Sequence, residues 1–402
     1  MKILMVNKFL YSRGGCENYM LFLGEHLKKL GHEIEYFGMY DEKNIVGNSA
    51  GKYTQNMDFH SKGIGRFFYP FKIIYSFEAK RKIMQVIDNF KPDIIHMNNI
   101  NFQLTPSVIY GAKRRGVPIV QTVHDYQMIC PNHLLYNFDK NEICEKCIQG
   151  SYTNCIKDKC IHNSRVKSII GAIEAKLYSI LKTYKNVDLY VSPSYFLEDK
   201  LLSANKLYQG KTKTIHNFIN KNKFTSEEEN TEAYIAFAGR LSKEKGVEQL
   251  AEAAKLLPEH TFLVAGDGPD KDMLKDVENI KLVGFLTGEK LVEFVGKAKV
   301  LLVPSIWYEN CPLSILEAQC MGVPVATVNN GGMAELVKDG ITGILIDEPT
   351  PEKIASRLKQ VLENEEYYKT LKENCKKEKE NILSVETYCE ILIKEYEKLI
   401  TR

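Results

Sequence analysis

The sequence predicts an α/β protein with two doubly wound domains, each built on a parallel β-sheet. Short runs rich in Ile and Val alternate with amphipathic helical patterns, as strands and crossover helices do in parallel sheets. The alternation runs from residue 3 to residue 191 and starts again at residue 234. The length of 402 residues also exceeds one ordinary domain core, so two such domains are expected.

The first series opens with a strand at residues 3–6, a loop with two glycines, and a helix at residues 17–30 that ends before Gly31. Each later strand is again a short apolar run, the pattern of a strand buried on both faces. The further strands are predicted at residues 32–38, 93–97, 118–123 and 187–191.

The second series has strands at residues 234–238, 261–265, 280–283, 300–303, 324–328 and 344–346, with helices at 247–257 and 271–277. Residues 351–402 have the pattern of two or three helices with Glu/Lys pairs. A polar, charged stretch at residues 220–230 has no apolar periodicity and is typical of a linker. The predicted domains are therefore residues 1–218 and 219–384, with a last helix at 385–402 that packs back on the first domain.

Composition excludes several classes of protein. The chain has 54 basic and 51 acidic residues, so its net charge of +3 does not indicate a nucleic-acid binder. No stretch approaches the roughly 20 apolar residues that a membrane-spanning helix needs. The apolar run before Asn7 is too short for a signal peptide, so a cytoplasmic location is expected.

Unusual residues follow several predicted strands, where open parallel sheets bind their ligands. Gly14 and Gly15 precede a helix whose free N–H groups suit an anion, although a plain tight turn has the same pattern. Gly239 and Arg240 end a strand, and Lys245 lies five residues on. Two cations there suit a diphosphate, while a solvated basic loop is the alternative. Gly266 stands in a Gly-Asp-Gly-Pro turn after the next strand.

Two acidic residues flank the start of a further predicted helix. Pro312 suits a first helical position, which places Glu309 in the preceding loop and Glu317 more than one turn into the helix. Glu317 lies on a mostly apolar face, and a buried carboxylate requires a partner. Ribose or sugar hydroxyls would provide one, and so would an internal lysine.

With these motifs in this order, the chain resembles the retaining glycosyltransferases of family 4. The resemblance implies the GT-B fold, which has two Rossmann-like domains and an active site in the cleft between them. It extends over nearly the whole chain. The matching motifs are Gly14-Gly15-Cys16-Glu17, His124-Asp125, Gly239-Arg240 with Lys245-Gly246, Gly266-Asp267-Gly268-Pro269, Glu309 to Glu317, Gly322-Val323-Pro324-Val325 and Gly331-Gly332.

The resemblance implies transfer of a sugar, with retention, from a nucleotide-diphosphate sugar to a sugar or lipid-linked sugar acceptor in polysaccharide or glycolipid assembly. No cofactor is implied for catalysis. Arg240 and Lys245 would hold the diphosphate and stabilise its departing charge, and Glu309 would contact the transferred sugar. Glu317 would contact the ribose, and His124 would lie beside the transferred sugar. The remaining residues would contact the donor: the N–H groups of Leu313 and Ser314, and Gly14, Gly15, Gly239 and Gly266.

The sequence departs from the family pattern in two places. Asn310 and Pro312 stand where glycines are usual, and Pro312 removes one N–H donor for phosphate. Residues 217–220 read Asn-Phe-Ile-Asn where Asn-Gly-Val-Asp is frequent, which puts a hinge contact between the domains in doubt.

A cysteine-rich insertion is predicted at residues 126–165. A Cys-x2-Cys pair with further cysteines at loop distances is typical of a structural zinc site. The predicted ligands are Cys130, Cys144, Cys147 and Cys160, with Cys155 able to replace one of them. Reduced thiols that are merely adjacent are the alternative.

Basic and aromatic residues alternate at residues 62–82. This composition suits a peripheral membrane contact at the inner face of the membrane, whereas an ordinary helix with its aromatic residues in the core is the alternative.

Three other functions compete with sugar transfer. An epimerase of the same fold would act on a nucleotide sugar without an acceptor. A nucleic-acid module would use the cysteine knuckle and the basic patch, but near-neutral charge disfavours it. A dehydrogenase is disfavoured because the first loop lacks Gly-x-Gly-x-x-Gly.

Overall fold

The computed structural model describes residues 1–56, 69–224 and 232–401. The chain divides into two compact units. The first contains residues 1–139, 144–215 and 385–402, and the second contains residues 140–143 and 216–384. The predicted linker lies partly outside the described residues.

The first unit is built on a six-stranded parallel sheet of strand order β2-β1-β3-β4-β7-β8. The strands up to residue 215 are β1 (Lys2–Val6), β2 (Glu33–Phe37), β3 (Ile94–Met97), β4 (Ile119–Thr122), β5 (Tyr136–Asn137), β6 (Glu142–Ile143), β7 (Leu189–Ser192) and β8 (Thr212–Thr214). The α-helices are α1 (Gly15–Lys29), α2 (Tyr69–Ile74), α3 (Phe77–Phe90), α4 (Ser107–Arg114), α5 (Thr153–Lys157), α6 (Arg165–Ile180) and α7 (Tyr195–Ala204).

The second unit has its own six-stranded parallel sheet, of order β11-β10-β9-β12-β13-β14. Its strands are β9 (Tyr234–Ala238), β10 (Thr261–Ala265), β11 (Ile280–Gly284), β12 (Val300–Val303), β13 (Val325–Val328) and β14 (Gly343–Ile346). The helices from here to the C-terminus are α8 (Val247–Lys255), α9 (Gly288–Gly296), α10 (Leu313–Cys320), α11 (Met333–Leu336), α12 (Pro351–Leu362), α13 (Glu365–Glu378) and α14 (Val385–Ile400).

Successive residues of β9 show why the strands of the second sheet are continuously apolar. Ile235 and Phe237 belong to one buried cluster, with residues of α8 and α12. Tyr234 and Ala236 belong to another, with residues of α9 and α10. Because alternate side chains of a strand point to opposite faces, both faces of this sheet are covered. The predicted doubly wound architecture is therefore confirmed.

Three sequence expectations differ from the structure. Residues 271–277 do not form an α-helix but a single 3₁₀ turn at Lys271–Leu274, and the buried Leu274 and Val277 need no longer helix to reach the core. Strand β8 was not predicted because its sequence, Thr-Lys-Thr, is polar, as suits a half-exposed edge strand. Pro312 precedes α10 as an extended N-cap residue instead of occupying its first position.

The last helix, α14, packs within the first unit against α1. The Tyr388 hydroxyl lies 2.6 Å from the Tyr19 hydroxyl, which lies 3.1 Å from Thr122 Oγ1. His96 Nε2 also contacts Thr122 Oγ1, at 2.7 Å, and His96 Nδ1 is hydrogen-bonded to the Tyr396 hydroxyl. Burial, followed by the nearby His124, lowers the pKa of His96 to about 3, so this imidazole is neutral. The helix therefore completes a buried polar network beneath the sheet's carboxyl edge.

We expect Tyr396→Phe to lower the free energy of unfolding by about 1–3 kcal/mol, because it leaves the buried His96 Nδ1 without its partner. Urea denaturation measures the change. Tyr40→Phe is the matched control, since Tyr40 is 58% exposed, and should change stability by less than about 0.5 kcal/mol. Equal effects of the two substitutions would contradict a stabilising role for the network.

Candidate functional site

Three neighbouring strands of the second unit place the predicted cations and carboxylates at one edge of its sheet. Strands β10, β9 and β12 are adjacent, and their carboxyl ends lead into the loops of Gly266, Gly239 and Glu309. Leu241 N–H donates to the carbonyl of Asp267 at 3.0 Å, which ties two of these loops together. Parallel strands end at the same edge, so residues distant in sequence meet there.

Two glycines permit the close approach of these loops. Gly246 has a φ of +75°, and a Cβ there would lie 2.0 Å from the carbonyl oxygen of Pro304. Gly266 has a φ of +145°, and a Cβ would lie 1.9 Å from the carbonyl oxygen of Gly239. Neither position tolerates a larger residue without movement of the backbone. Ile306 N–H also donates to the Glu244 carbonyl at 3.0 Å, which fixes Lys245 beside the loop of Glu309.

The Glu309 carboxylate is held by three donors that all reach the same oxygen. Lys245 Nζ forms an ion pair with Oε1, Trp307 Nε1 donates to it at 2.8 Å, and Ser305 Oγ donates at 3.1 Å. Burial opposes ionisation of this carboxyl, but the charge of Lys245 and the three hydrogen bonds outweigh it and lower the pKa of Glu309. Its other oxygen, Oε2, has no hydrogen-bond partner within the described part of the chain.

Arg240 and the start of α10 lie on this same unit. Arg240 is exposed after β9, and in the ranges that the structure describes it forms no ion pair. Leu313 and Ser314 are the first two residues of α10. Their N–H groups have no acceptor within the helix, so they are available to an anion. The structure thus supplies a cation and helix N–H donors for an anionic ligand.

Glu317 is half-buried on α10 and has a different environment from Glu309. Burial alone raises the pKa of Glu317 to about 7. Among the residues that the structure describes no lysine pairs with it, so the internal lysine that the sequence left open is not its partner. Its carboxyl group therefore remains available to a hydroxyl-bearing ligand.

In the first unit, α1 begins at Gly15, with Gly14 as its N-cap residue. A Cβ added to Gly15 would meet no atom within 4 Å, so its backbone faces open space. Glu17 in the first turn is buried and accepts a hydrogen bond from Asn7 Nδ2 at 3.3 Å.

His124 follows β4 and contacts the end of the adjacent strand β3. Its Nε2 lies 3.0 Å from Asn98 Oδ1, and its ring stands edge-on to Tyr19 with 5.1 Å between centroids. Burial lowers the pKa of His124 to about 4 even though Asp125 opposes this, so the imidazole is neutral at pH 7. Nε2 carries the proton because the amide oxygen of Asn98 can only accept.

The cysteine segment, residues 126–165, has a distinctive backbone, and three of its cysteines, Cys130, Cys147 and Cys155, are buried. Six of its residues have positive φ without being glycine: His133, Leu135, Asn141, Lys159, His162 and Asn163. Burial raises the pKa of Cys130 to about 11 and that of Cys147 to about 12, so both are thiols without a cation. The Cys130 sulfur faces the backbone N–H groups of Asn132, Leu134 and Leu135. The sulfurs of Cys155 and Cys160 are hydrogen-bonded to each other.

These thiols are chemically suited to zinc, and their donor set agrees with a structural site. Within the described residues, however, the one trio of ligating atoms closer than 4.8 Å is Glu259, His260 and Glu363, in the second unit. Coordination by Cys130, Cys144, Cys147 and Cys160 therefore stays a prediction.

The basic and aromatic segment is described only from residue 69 onward, and Lys62, Arg66, Phe67 and Phe68 lie outside the described residues. Phe71 is 72% exposed and Phe77 is 77% exposed, whereas Tyr75 is half-buried and stacks with Tyr178. In the parts of the chain that the structure covers, no helix has the length and apolar character to cross a bilayer.

Sequence reasoning missed the residues that hold the predicted ones in place. Trp307 and Ser305 donate to Glu309, and both belong to the loop that carries it, so their proximity in sequence was a usable signal. Asn98, the partner of His124, is the first residue after β3 and opens a polar stretch at that strand's carboxyl end. Polar residues directly after apolar runs are thus worth examining in such sheets.

Comparisons with known proteins agree with this geometry. The family model Glycosyl transferases group 1 matches residues 218–378, and the model Glycosyltransferase Family 4 matches residues 13–223. An uncharacterized 42.6 kDa protein in the cps region of Klebsiella pneumoniae is 25% identical over 84% of this chain and 87% of its own length.

Two solved structures share the fold over the full chain. Sucrose-phosphate synthase from Thermosynechococcus elongatus has a TM-score of 0.72 at 17% identity, covering 100% of this chain and 99% of its own. Anabaena HepE, solved in complex with UDP, has the same TM-score and identity, covering 99% of this chain and 100% of its own. Because the Family 4 model matches more than half of the sequence and the fold class is confirmed, the chain belongs to Glycosyltransferase Family 4 and is a glycosyltransferase of GT-B fold.

Proposed function

We propose that the protein transfers a hexosyl group, with retention of configuration, from a nucleotide-diphosphate sugar to a sugar or lipid-linked sugar acceptor. Retention, and the role in polysaccharide or glycolipid assembly, follow from the family resemblance. Because Anabaena HepE was solved with UDP, UDP is the first nucleotide to test. Catalysis is proposed to need no cofactor.

The observation that carries this proposal is the one-sided anchoring of Glu309. Three donors fix Oε1, so the carboxylate is ionised and cannot rotate away, while Oε2 is available to accept. Sugar hydroxyls are good donors to such an oxygen, and charge-assisted hydrogen bonds are stronger than neutral ones. Preorganised groups of this kind favour the transition state because they need no rearrangement during the reaction.

Arg240 and Lys245 are proposed to stabilise the departing nucleoside diphosphate. When the bond from the sugar to the diphosphate breaks, negative charge grows on the leaving oxygen and positive charge on the sugar ring. Cations and helix N–H donors at one edge of the sheet stabilise the negative charge on the leaving oxygen. The diphosphate is proposed to bind to the backbone of Leu313, Ser314, Gly239 and Gly266. Glu317 is proposed to bind the ribose hydroxyls. The family resemblance implies that Gly14 and Gly15 contact the donor and that His124 lies beside the transferred sugar.

We also propose that Cys130, Cys144, Cys147 and Cys160 hold a structural zinc, with Cys155 as the substitute ligand. The support is the burial of Cys130 and Cys147 in a backbone rich in positive φ. Zinc bound to thiolates would cross-link the segment that begins six residues after His124. This segment would then shape the surroundings of His124.

A peripheral contact with the inner face of the membrane is proposed for the surface around Phe71 and Phe77. Two large aromatic side chains in one short stretch of the chain are exposed by more than 70%, which makes them available to an apolar partner. Lys72 and Lys80 lie on the same two helices and favour an anionic lipid surface.

The transfer function is tested by variants of the two cations. A thermal-shift screen of UDP, GDP, ADP and dTDP identifies the nucleotide, since a ligand bound by the native state raises its melting temperature. Release of that nucleotide from its sugar conjugates then measures turnover. We expect Arg240→Ala and Lys245→Ala each to lower kcat by about 10²–10³-fold, because each removes a preorganised donor to the leaving group.

Lys243→Ala is the control for these variants, because Lys243 is an exposed lysine of the same loop and has no proposed contact with the donor. Its turnover should stay within about threefold of the parent. Equal losses in Lys243→Ala and Lys245→Ala would contradict the proposed role, and epimerised sugar formed from the donor alone would support an epimerase instead.

Zinc is tested by elemental analysis of the purified protein under reducing conditions. We expect about one zinc per chain, loss of most of it in Cys147→Ser, and a lower melting temperature after chelation, because bound metal stabilises the folded segment. Cys389→Ser, at a buried cysteine of α14, is the control and should retain the metal. A metal-free parent protein with an unchanged melting temperature in chelator would reject the site.

Membrane contact is tested by co-sedimentation with vesicles that contain anionic lipid at low salt. The double variant Phe71→Ser and Phe77→Ser should lose most binding, because it removes the exposed apolar surface. Phe285→Ser is the control, since Phe285 is 76% exposed in the other unit. Absence of binding by the parent protein would refute the contact.

A further inference from the structure

A small cavity lies beside His124 in the first unit. Its polar walls include Asn98, Gln121, His124 and Asp125, and we call it the hydroxyl slot. It has room for about one water molecule. Asn98 and His124 follow the adjacent strands β3 and β4, and Gln121 lies within β4, so the ends of two strands form one side of the slot and the segment after β4 forms the rest.

Three polar atoms of residues that line this slot are buried and lack hydrogen-bond partners in the described structure: the amide donors Asn98 Nδ2 and Gln127 Nε2, and the acceptor Gln121 Oε1. The proposal concerns Asn98 Nδ2 and Gln121 Oε1, which belong to the adjacent strands β3 and β4 or follow them directly. Asn98 is 2% exposed and Gln121 is 4% exposed, so bulk water does not satisfy them. A buried polar group without a partner destabilises the folded state. A group that enters this slot and both accepts and donates would recover that free energy at two atoms.

The neighbouring hydrogen bonds fix the orientation of the slot. His124 Nε2 donates to Asn98 Oδ1 at 3.0 Å, which leaves Nδ2 as the atom that the amide offers elsewhere. The neutral state of His124 is consistent with this single donor. Asp125 accepts from Asn101 Nδ2 at 2.8 Å and from Gln127 N–H at 2.9 Å, so its carboxylate is also fixed. The walls are thus set before a ligand arrives.

We propose that Asn98 and Gln121 bind one hydroxyl group of a sugar substrate and select substrates that carry it. The hydroxyl accepts from Asn98 Nδ2 and donates to Gln121 Oε1, which a single alcohol group can do simultaneously. A deoxy sugar leaves both amides unsatisfied, and sites built to bind a hydroxyl discriminate strongly against ligands that lack it. This inference rests on the proposed sugar transfer.

Gln121→Met tests the slot, because it replaces the amide by an apolar side chain of similar size and leaves the His124–Asn98 hydrogen bond in place. The probes are UDP-glucose, or the hexose conjugate of whichever nucleotide the thermal-shift screen selects, and its 2-, 3-, 4- and 6-deoxy forms. We expect the parent enzyme to have kcat/KM about 10- to 100-fold lower for one deoxy form than for the full sugar. In Gln121→Met that ratio should approach one through loss of activity on the full sugar.

The hydroxyl can belong to the transferred sugar or to the acceptor, and two arms distinguish these sources. Donor hydrolysis without acceptor, measured with the deoxy donors, reports the transferred sugar. Transfer to deoxy acceptors from the unmodified donor reports the acceptor. If Gln121→Met removes the preference for the full sugar over a deoxy form among donors, the hydroxyl belongs to the transferred sugar. If it removes that preference among acceptors, the hydroxyl belongs to the acceptor.

Gln103→Met is the matched control, since the Gln103 amide oxygen is also buried without a partner but lies outside the slot. It should keep the parent's ratios. The melting temperature of Gln121→Met should not fall, because an apolar group replaces an unpaired buried amide. A lower melting temperature with unchanged ratios in both arms would overturn the proposal and leave a structural water only. A parent enzyme that transfers no sugar from any conjugate would refute the proposed function itself, and this inference with it.

Discussion

The ion pair between Lys245 and Glu309 is the constraint on which the arrangement of the second unit depends. A half-buried carboxylate is stable as an anion only when cations and donors surround it, and here three donors meet at one oxygen. That convergence requires the loops after β9 and β12 to touch, and Gly246 is the residue that permits it. The alternation of strands and helices therefore matters to function because it places both loops at one edge of the sheet.

The two carboxylates of the same loop and helix have opposite electrostatic environments. Lys245 outweighs burial and lowers the pKa of Glu309, whereas burial alone raises the pKa of Glu317 to about 7. Near neutral pH Glu309 is therefore an anion and Glu317 is divided between its two forms. Pairs of acidic groups whose surroundings separate their pKa values commonly have different roles. An anion suits a position near developing positive charge, and a group that both donates and accepts suits a ribose diol.

The sequence predicted the strands of both sheets within a few residues, apart from the polar edge strand β8, because buried parallel strands are continuous apolar runs. It also identified the cations and carboxylates, through loop position and family motifs. It did not predict that Trp307 and Ser305 support Glu309, or that Asn98 pairs with His124. Those contacts depend on side-chain direction at the strand ends, which apolar periodicity does not encode. The predicted helix at residues 271–277 is only a 3₁₀ turn at Lys271–Leu274, because one turn already brings its single buried residue, Leu274, to the core.

Each unit, considered alone, leaves polar atoms unsatisfied where its strands end. Glu309 Oε2 is available in the second unit, and Asn98 Nδ2 and Gln121 Oε1 are unpartnered in the first. Folding alone would favour pairing the two buried amide atoms of the first unit or replacing them by apolar groups, because buried polar groups without partners are destabilising. A ligand that supplies the missing hydrogen bonds would offset this cost and would account for the unpaired donor and acceptor atoms. A sugar, with several hydroxyl groups that each donate and accept, is the ligand class whose chemistry matches all three atoms.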